Sequence, residues 1–321
     1  MTMRRLIIPF VLLAWLVLPL VFTTDSTLGL MVFAAINLIQ AIGLSLLFGF
    51  AGQISLGQAG FFGIGAYVSA IAATRLGVPP LLGMVAATIV PAILAYLVGR
   101  PILRLKGYYL AMVTAGLGLI VHTVFVEWES MTGGYSGVAN IPPLSIGSFA
   151  FDTPRAIYYF ASGCAILVFV LAYRMIATSY GRAMRTTRES ETAARSVGID
   201  VSRLKAEVFA LSAALSGFSG ALYAHYVGYI SPDTFTIDAS INLLLALVVG
   251  GINSLWGAAV GAILLTFLPE WLHQLQNAYG IVFGAIVIVL LTIEPGGLIG
   301  LAQRLIEGVR ARRARPQPGA A

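Results

Sequence analysis

Charged residues punctuate this chain at wide intervals, and the stretches between them are apolar. Nineteen uncharged residues separate Arg5 from Asp25, 49 separate Asp25 from Arg75, 24 separate Arg75 from Arg100, and 20 separate Lys106 from Glu127. Further on, gaps of 18, 25, 31 and 23 residues follow Arg155, Glu207, Asp238 and Glu270. A helix rises 1.5 Å per residue, so a hydrocarbon layer about 30 Å thick is crossed by about 20 apolar residues. Each gap holds at least one such helix, and the longest holds two. Strands of a membrane barrel would instead alternate apolar and polar over about 10 residues. The pattern predicts an all-α, polytopic helical membrane protein, because helices satisfy their own backbone amides in lipid. It contains about 8–10 transmembrane or half-membrane helices.

Composition agrees. The chain has 321 residues, of which 59% are hydrophobic and 10% charged, with a mean hydropathy of +0.91. Soluble domains carry about 25% charged residues. An average soluble enzyme, a disordered chain and a nucleic-acid binder are excluded. Nineteen bases against thirteen acids leave a formal charge of +6, and where the bases lie matters more than their number. Seventeen fall at Arg4–Arg5, Arg100–Lys106, Arg174–Lys205 and Arg304–Arg315. Placing all four clusters in the cytoplasm satisfies the positive-inside bias. Both termini are then cytoplasmic, with spans near 6–23, 28–49, 58–74, 80–99, 108–127, 156–173, 208–230 and 277–294. Residues 1–300 form one transmembrane domain and 301–321 a basic cytoplasmic tail. The first apolar run is longer than a signal-peptide core and lacks an Ala-x-Ala site after it, so it reads as an uncleaved span.

Parity leaves residues 239–269 starting and ending on the outer side. They are too few for two full spans, and Gly250–Gly251–Ile252–Asn253 sit near the middle. The expectation is a re-entrant pair of short helices broken there; one long tilted span is the competing reading. A second irregular place is Phe50–Gly60, which is uncharged although parity puts it on the arginine-rich side. Gly52, Gln53, Ser55 and Gln58 read either as a discontinuous helix beside a transport pathway or as a tight turn for close packing. Gly217/Ala221, Gly257/Gly261 and Gly280/Gly284 have helix-packing spacing. His122 is the one histidine well inside a span, as a proton relay or a neutral, hydrogen-bonded group; His273 lies near the outer surface. No histidines stand at metal-ligand spacing, and one cysteine, Cys164, allows no disulfide or cysteine cluster. The outer loop 127–155, with Thr132–Gly133–Gly134, is a turn-rich segment or a docking surface.

The largest inner segment, 174–206, carries seven bases and three acids. Thr186 with Glu189 fits a capping box, and Gly198 fits a C′ position. They frame an expected helix over about 187–198 containing Glu189, Glu191, Ala193, Ala194 and Arg195. Ser202 is placed as cap of the next span. Such a helix either lies on anionic lipid or transmits force from a cytoplasmic partner.

Gly181–Arg185 followed by Glu189–Ile199 resembles the coupling loop of permease subunits of branched-chain amino acid ABC importers, the LivM-type more than the other kind. Leu47–Ala59, Tyr109–Thr114, Thr132–Gly134, Ser216–Ala224, Gly250–Gly251, Gly257 and Gly261–Ala262 agree in order, so the resemblance spans roughly residues 35–300. Two positions depart. The general Glu-Ala-Ala motif would place its acid at Thr192, where the nearest acid is Glu191. Asn253 stands where the family usually has glycine. The resemblance implies a non-enzymatic transport subunit in a bacterial inner membrane, without a bound cofactor. ATP and magnesium would belong to two cytoplasmic ATPase subunits. The other partners would be a second permease, giving a heterodimer, and a periplasmic solute-binding protein docking on 127–155. Neither Lys106 nor Lys205 completes a phosphate-binding Gly-x-x-x-x-Gly-Lys-Ser/Thr motif. Cargo stays open among hydrophobic amino acids, urea or amides, and aromatic acids. An ATPase-independent carrier or channel, or a non-transporting scaffold, explains less of the pattern.

Overall fold

Apolar runs become helices here, and most of them pack on two inner ones. The computed structural model describes residues 24–271 apart from 104, 106, 147 and 148, with isolated positions at 17, 284–285, 288, 292, 296–301 and 304. The expected spans near 6–23 and 277–294, the basic tail, His273 and Gly280 lie outside the described residues, single positions aside.

The first inner helix, α1 (Asp25–Leu44), continues into a π-helical turn at Ser45–Phe50. An unwound stretch follows, then α2 (Gln58–Arg75) and α3 (Pro80–Ile102). Pro80 opens α3 because a proline costs no hydrogen bond in the first helical turn. Next come α4 (Tyr108–Glu127), a single turn at Glu129–Thr132, and α5 (Pro154–Ala177). Two short helices, α6 (Ser179–Glu189) and α7 (Glu191–Ser196), lead to the second inner helix, α8 (Val201–Val227). The last described pair is α9 (Ile237–Gly250) and α10 (Leu255–Trp271). In the loop before α5, Ser145–Ile146 and Phe149–Ala150 form a minimal antiparallel hairpin.

Helices α1 and α8 are largely buried, whereas α3 and α4 stand at the outside. On α3 the exposed side chains Leu82, Val85, Ile89, Ile93 and Leu97 recur every three or four residues. An apolar stripe pointing away from the protein is covered by lipid, not water. The chain is a multi-pass membrane protein.

Glycine sets the spacing at one crossing above all. A Cβ on Gly217 of α8 would run into the Ala87 carbonyl and the Pro91 ring of α3, and Gly65 of α2 packs against the same glycine. Pro91 has no N–H to give Ala87, four residues earlier, so that carbonyl is released from its helix. Only a residue without a side chain lets α8 close over it.

The broken element near 240–270 is present. Helices α9 and α10 fold back on each other, with Gly250 against Gly257 and Gly261 against Ala246. Gly251 turns the chain at φ +122°, a conformation that strains any L side chain, and Gly297 lies against it. One boundary differs. The helix expected from residue 208 begins at Val201 and carries its first charges on its surface: exposed Arg203 meets Glu207 one turn on at 2.8 Å, and Glu207 also accepts from the Tyr180 hydroxyl at 3.3 Å. Asp200, not Ser202, caps this helix, accepting from the Arg203 amide at 3.0 Å. Burial and the neighbouring Glu207 push the Tyr180 phenol above its ordinary range.

Candidate functional site

The arginine-rich segment crosses the end of the bundle as two helices, not as the single helix expected over 187–198. Thr186 lies inside α6 and caps nothing; its hydroxyl donates to the Arg182 carbonyl at 3.1 Å. Ser190 is the break, with extended backbone (φ −155°, ψ 113°), and its hydroxyl accepts from the Ala193 amide at 3.2 Å. A serine able to cap the third amide of a new helix outcompetes continuation of the old one, and Glu191 then sits in the first turn, where negative charge is favoured. Gly198 stands at C′ with φ +82°. Ile199 N–H meets the Ala194 carbonyl, and Gly198 N–H the Arg195 carbonyl, both at 3.0 Å, closing α7 with a Schellman motif.

Two cations that the sequence reading passed over tie this pair of helices to the bundle. Lys205 of α8, 7% exposed, meets Glu191 Oε1 at 2.5 Å. Glu191 Oε2 also accepts from Arg195 at 3.4 Å. The Lys205 carbonyl in turn receives the Gln53 side-chain amide at 3.4 Å. Arg188, at the end of α6, donates through Nη1 to the Gly49 carbonyl and to Asn253 Oδ1. Gly49 belongs to the π-helical turn that ends α1, and Asn253 to the break between α9 and α10. The Arg188 stem lies over Gly52, whose φ is +70° and where a Cβ would come within 2.8 Å of Arg188 Cγ. One guanidinium therefore joins the surface helices to both interruptions in the membrane helices.

The remaining polar residues of the 50–60 stretch turn inward. Gln58 is fully buried and clamps α8, donating to Ser212 Oγ at 2.9 Å and accepting from Ser216 Oγ at 2.6 Å. Ser55 Oγ accepts from the Gly57 amide at 3.3 Å within the turn. Ala59 donates its amide to Ser240 Oγ of α9 at 2.9 Å and forms part of the wall of a pocket of about 230 Å³. Gly250 and Gly251 pack within the hairpin.

On the outward face of α6 and α7, Glu189, Ala193 and Gly198 are exposed, with Val197, whereas Ala194 is buried. At the opposite end of the bundle, Thr132 is buried: its hydroxyl donates to the Phe125 and Trp128 carbonyls at 2.7 and 2.8 Å and accepts from the Gly134 amide at 3.2 Å. Gly133 and Gly134 shape the turn with positive φ, leaving Trp128, Met131 and Tyr135 exposed around it. Val138 and Ile230 exchange amide hydrogen bonds at 2.9 and 3.0 Å, joining this loop to the end of α8. Buried His225 bridges Ser69 at 2.8 Å and the Pro142 carbonyl at 2.7 Å. His122 Nε2 is enclosed and has no hydrogen-bond partner among the described residues. No group of side chains among them has the makeup of a metal site.

Residues 26–291 match the family described as the permease component of the branched-chain amino acid transport system. The high-affinity branched-chain amino acid transport system permease protein LivM of Salmonella typhimurium is 30% identical over 291 residues, covering 84% of this chain and 68% of the relative. A probable LivM permease of Methanocaldococcus jannaschii is 25% identical, covering 74% and 77%. The LivH permease protein of Salmonella typhimurium is 27% identical, covering 81% and 90%. No solved structure matches.

Proposed function

The chain belongs to the branched-chain amino acid transport permease family as a LivM-type member, and on that footing we propose that it is one of two permeases in an ATP-driven importer of hydrophobic amino acids. In this reading α6 and α7 face the cytoplasm of a bacterial inner membrane, and so do both termini. Two ATPase subunits dock on the exposed face around Glu189, Ala193, Val197 and Gly198. The second permease is a LivH-like chain, since that kind of relative also matches. A periplasmic solute-binding protein docks on the opposite loop, through Trp128, Met131 and Tyr135, which the rigid turn at Thr132–Gly134 holds outward.

The observation that carries this reading is the Arg188 bridge. A surface helix pair that only anchored the protein to lipid would need no bond into the bundle. Here the helix end grips two places where membrane helices are interrupted, and interrupted helices are where backbone can shift at membrane depth without breaking a continuous ladder. A displacement of α6–α7 by the ATPases thereby reaches the end of α1 and the α9–α10 hairpin together.

Arg188→Ala in the assembled transporter is expected to leave ATP hydrolysis within about twofold while L-leucine uptake into membrane vesicles falls at least tenfold; Arg188→Lys, a point charge without the fork, recovers part of the uptake. Unchanged uptake in Arg188→Ala overturns the coupling role, and failure of the chain to co-purify with any ATPase overturns the importer reading as a whole.

A further inference from the structure

The pocket beside Ala59 is walled by α1, α2, α8, the Pro232–Phe235 turn, α9 and α10. Both helices that Arg188 joins at their interruptions, α1 and α9, run on from those interruptions into its wall. Its polar groups are Asn37 and Gln40, one turn apart on α1, with Thr234 and Asn242 contributed from the other side. Phe62 and Tyr223 supply apolar wall. Asn37 donates its side-chain amide to Thr266 Oγ1 at 3.0 Å, which fixes the side chain and leaves its carbonyl oxygen as an acceptor. Every lining residue is uncharged.

We infer that this pocket is a transit site for a small solute of no net charge, held by side-chain amides and by aromatic and aliphatic wall. The inference rests on the transport reading above and adds to it where the solute stops and what is turned away. The volume suits a solute of amino-acid size, below the several hundred Å³ of drug-sized sites. Amides both donate and accept, so they satisfy an ammonium and a carboxylate alike without favouring either. A solute with net charge would leave water and meet no counter-ion, a cost that ordinary hydrogen bonds do not recover. Filling the pocket also couples to the rest of the molecule, because α1 runs from Asn37 and Gln40 into the π-turn held by Arg188, and α9 runs from Asn242 to the break at Gly251.

The test uses the assembled transporter with Cys164→Ala, so that an introduced thiol is the single one on this chain. Asn242→Cys is placed in the pocket, Thr234→Cys at a second point of its wall in case the first fails to fold, and Leu97→Cys on the exposed stripe as control. Neutral methyl methanethiosulfonate is expected to modify both pocket thiols at least tenfold faster than the anionic sulfonatoethyl or the cationic aminoethyl reagent. L-leucine slows that modification at least fivefold, and modification stops uptake; the Leu97 thiol shows neither effect. Full modification with uptake intact, equal rates for charged and neutral reagents, or no protection by L-leucine overturns the transit site. Absence of ATP-driven uptake in the Leu97→Cys control before modification overturns the underlying transport reading instead, so the two failures are distinguishable.

Discussion

The Glu191–Lys205 pair offers a quantitative handle on how α7 is held. The charges meet at 2.5 Å, with side chains 16% and 9% exposed, so both are largely out of water. At an effective dielectric of about 20 their attraction is about 6–7 kcal/mol. Desolvating two ions costs several kcal/mol each and cancels most of it. What survives shows on removing one partner alone. Glu191→Leu strands a nearly enclosed ammonium and is expected to cost about 2–4 kcal/mol. Lys205→Met costs less, about 1–2 kcal/mol, because Arg195 remains 3.4 Å from the carboxylate. The double variant replaces the pair by apolar groups of similar size and is expected within about 1 kcal/mol of the wild type, which gives a coupling energy of about 3–6 kcal/mol. Equilibrium unfolding of the four proteins in detergent, followed by helical circular dichroism, measures it. If the two single losses simply add in the double variant, the pair is not a buried tether and α7 is held by something else.

Two further outcomes concern backbone spacing. Gly217→Val puts branched carbons where the Ala87 carbonyl and Pro91 ring lie, and is expected to cost at least about 3 kcal/mol, seen as loss of the monodisperse peak in size-exclusion chromatography. Gly49→Ala places a Cβ on the Ile252 carbonyl and must push the α9–α10 break away from the π-turn. Its expected signature is faster amide exchange over residues 250–254 with little change in α8.

Much of the helix layout was legible because lipid imposes a length and forbids unpaired charge. The run over 108–127 coincides with α4, and those over 80–99 and 156–173 lie inside helices that extend a few residues further. Charge-free length failed at residues 201–207, where Arg203 and Glu207 pair one turn apart on the helix surface and Lys205 is buried against Glu191; the partner of Lys205, on another helix, leaves no trace in a local window. The surface helix was misread for a related reason. Thr186 and Glu189 have capping-box spacing, but spacing alone does not say which of several serines and threonines will turn its oxygen onto an amide, and Ser190 does. Gln53, Ser55 and Gln58 stand out in the sequence by their lack of charged neighbours, while the partners of Gln53 and Gln58 on α8 are not readable there. Arg188 and Lys205 looked like ordinary members of a basic cluster. Their distinction comes from a backbone carbonyl 139 residues earlier and a carboxylate 14 residues earlier. The π-turn at Ser45–Phe50 has no sequence signal that separates it from an ordinary helix end.

The Arg188 bridge also orders the assembly of the molecule in time. Its two acceptors lie 139 residues before it and 65 after it. A chain emerging from synthesis presents Gly49 first, Arg188 second and Asn253 last. Both partners of the contact with the end of α1 thus exist before the α9–α10 hairpin is made, and the same guanidinium nitrogen has a second acceptor waiting to be supplied by the hairpin's break. Asn253 is the last of the three groups to arrive, and the one that completes the bridge.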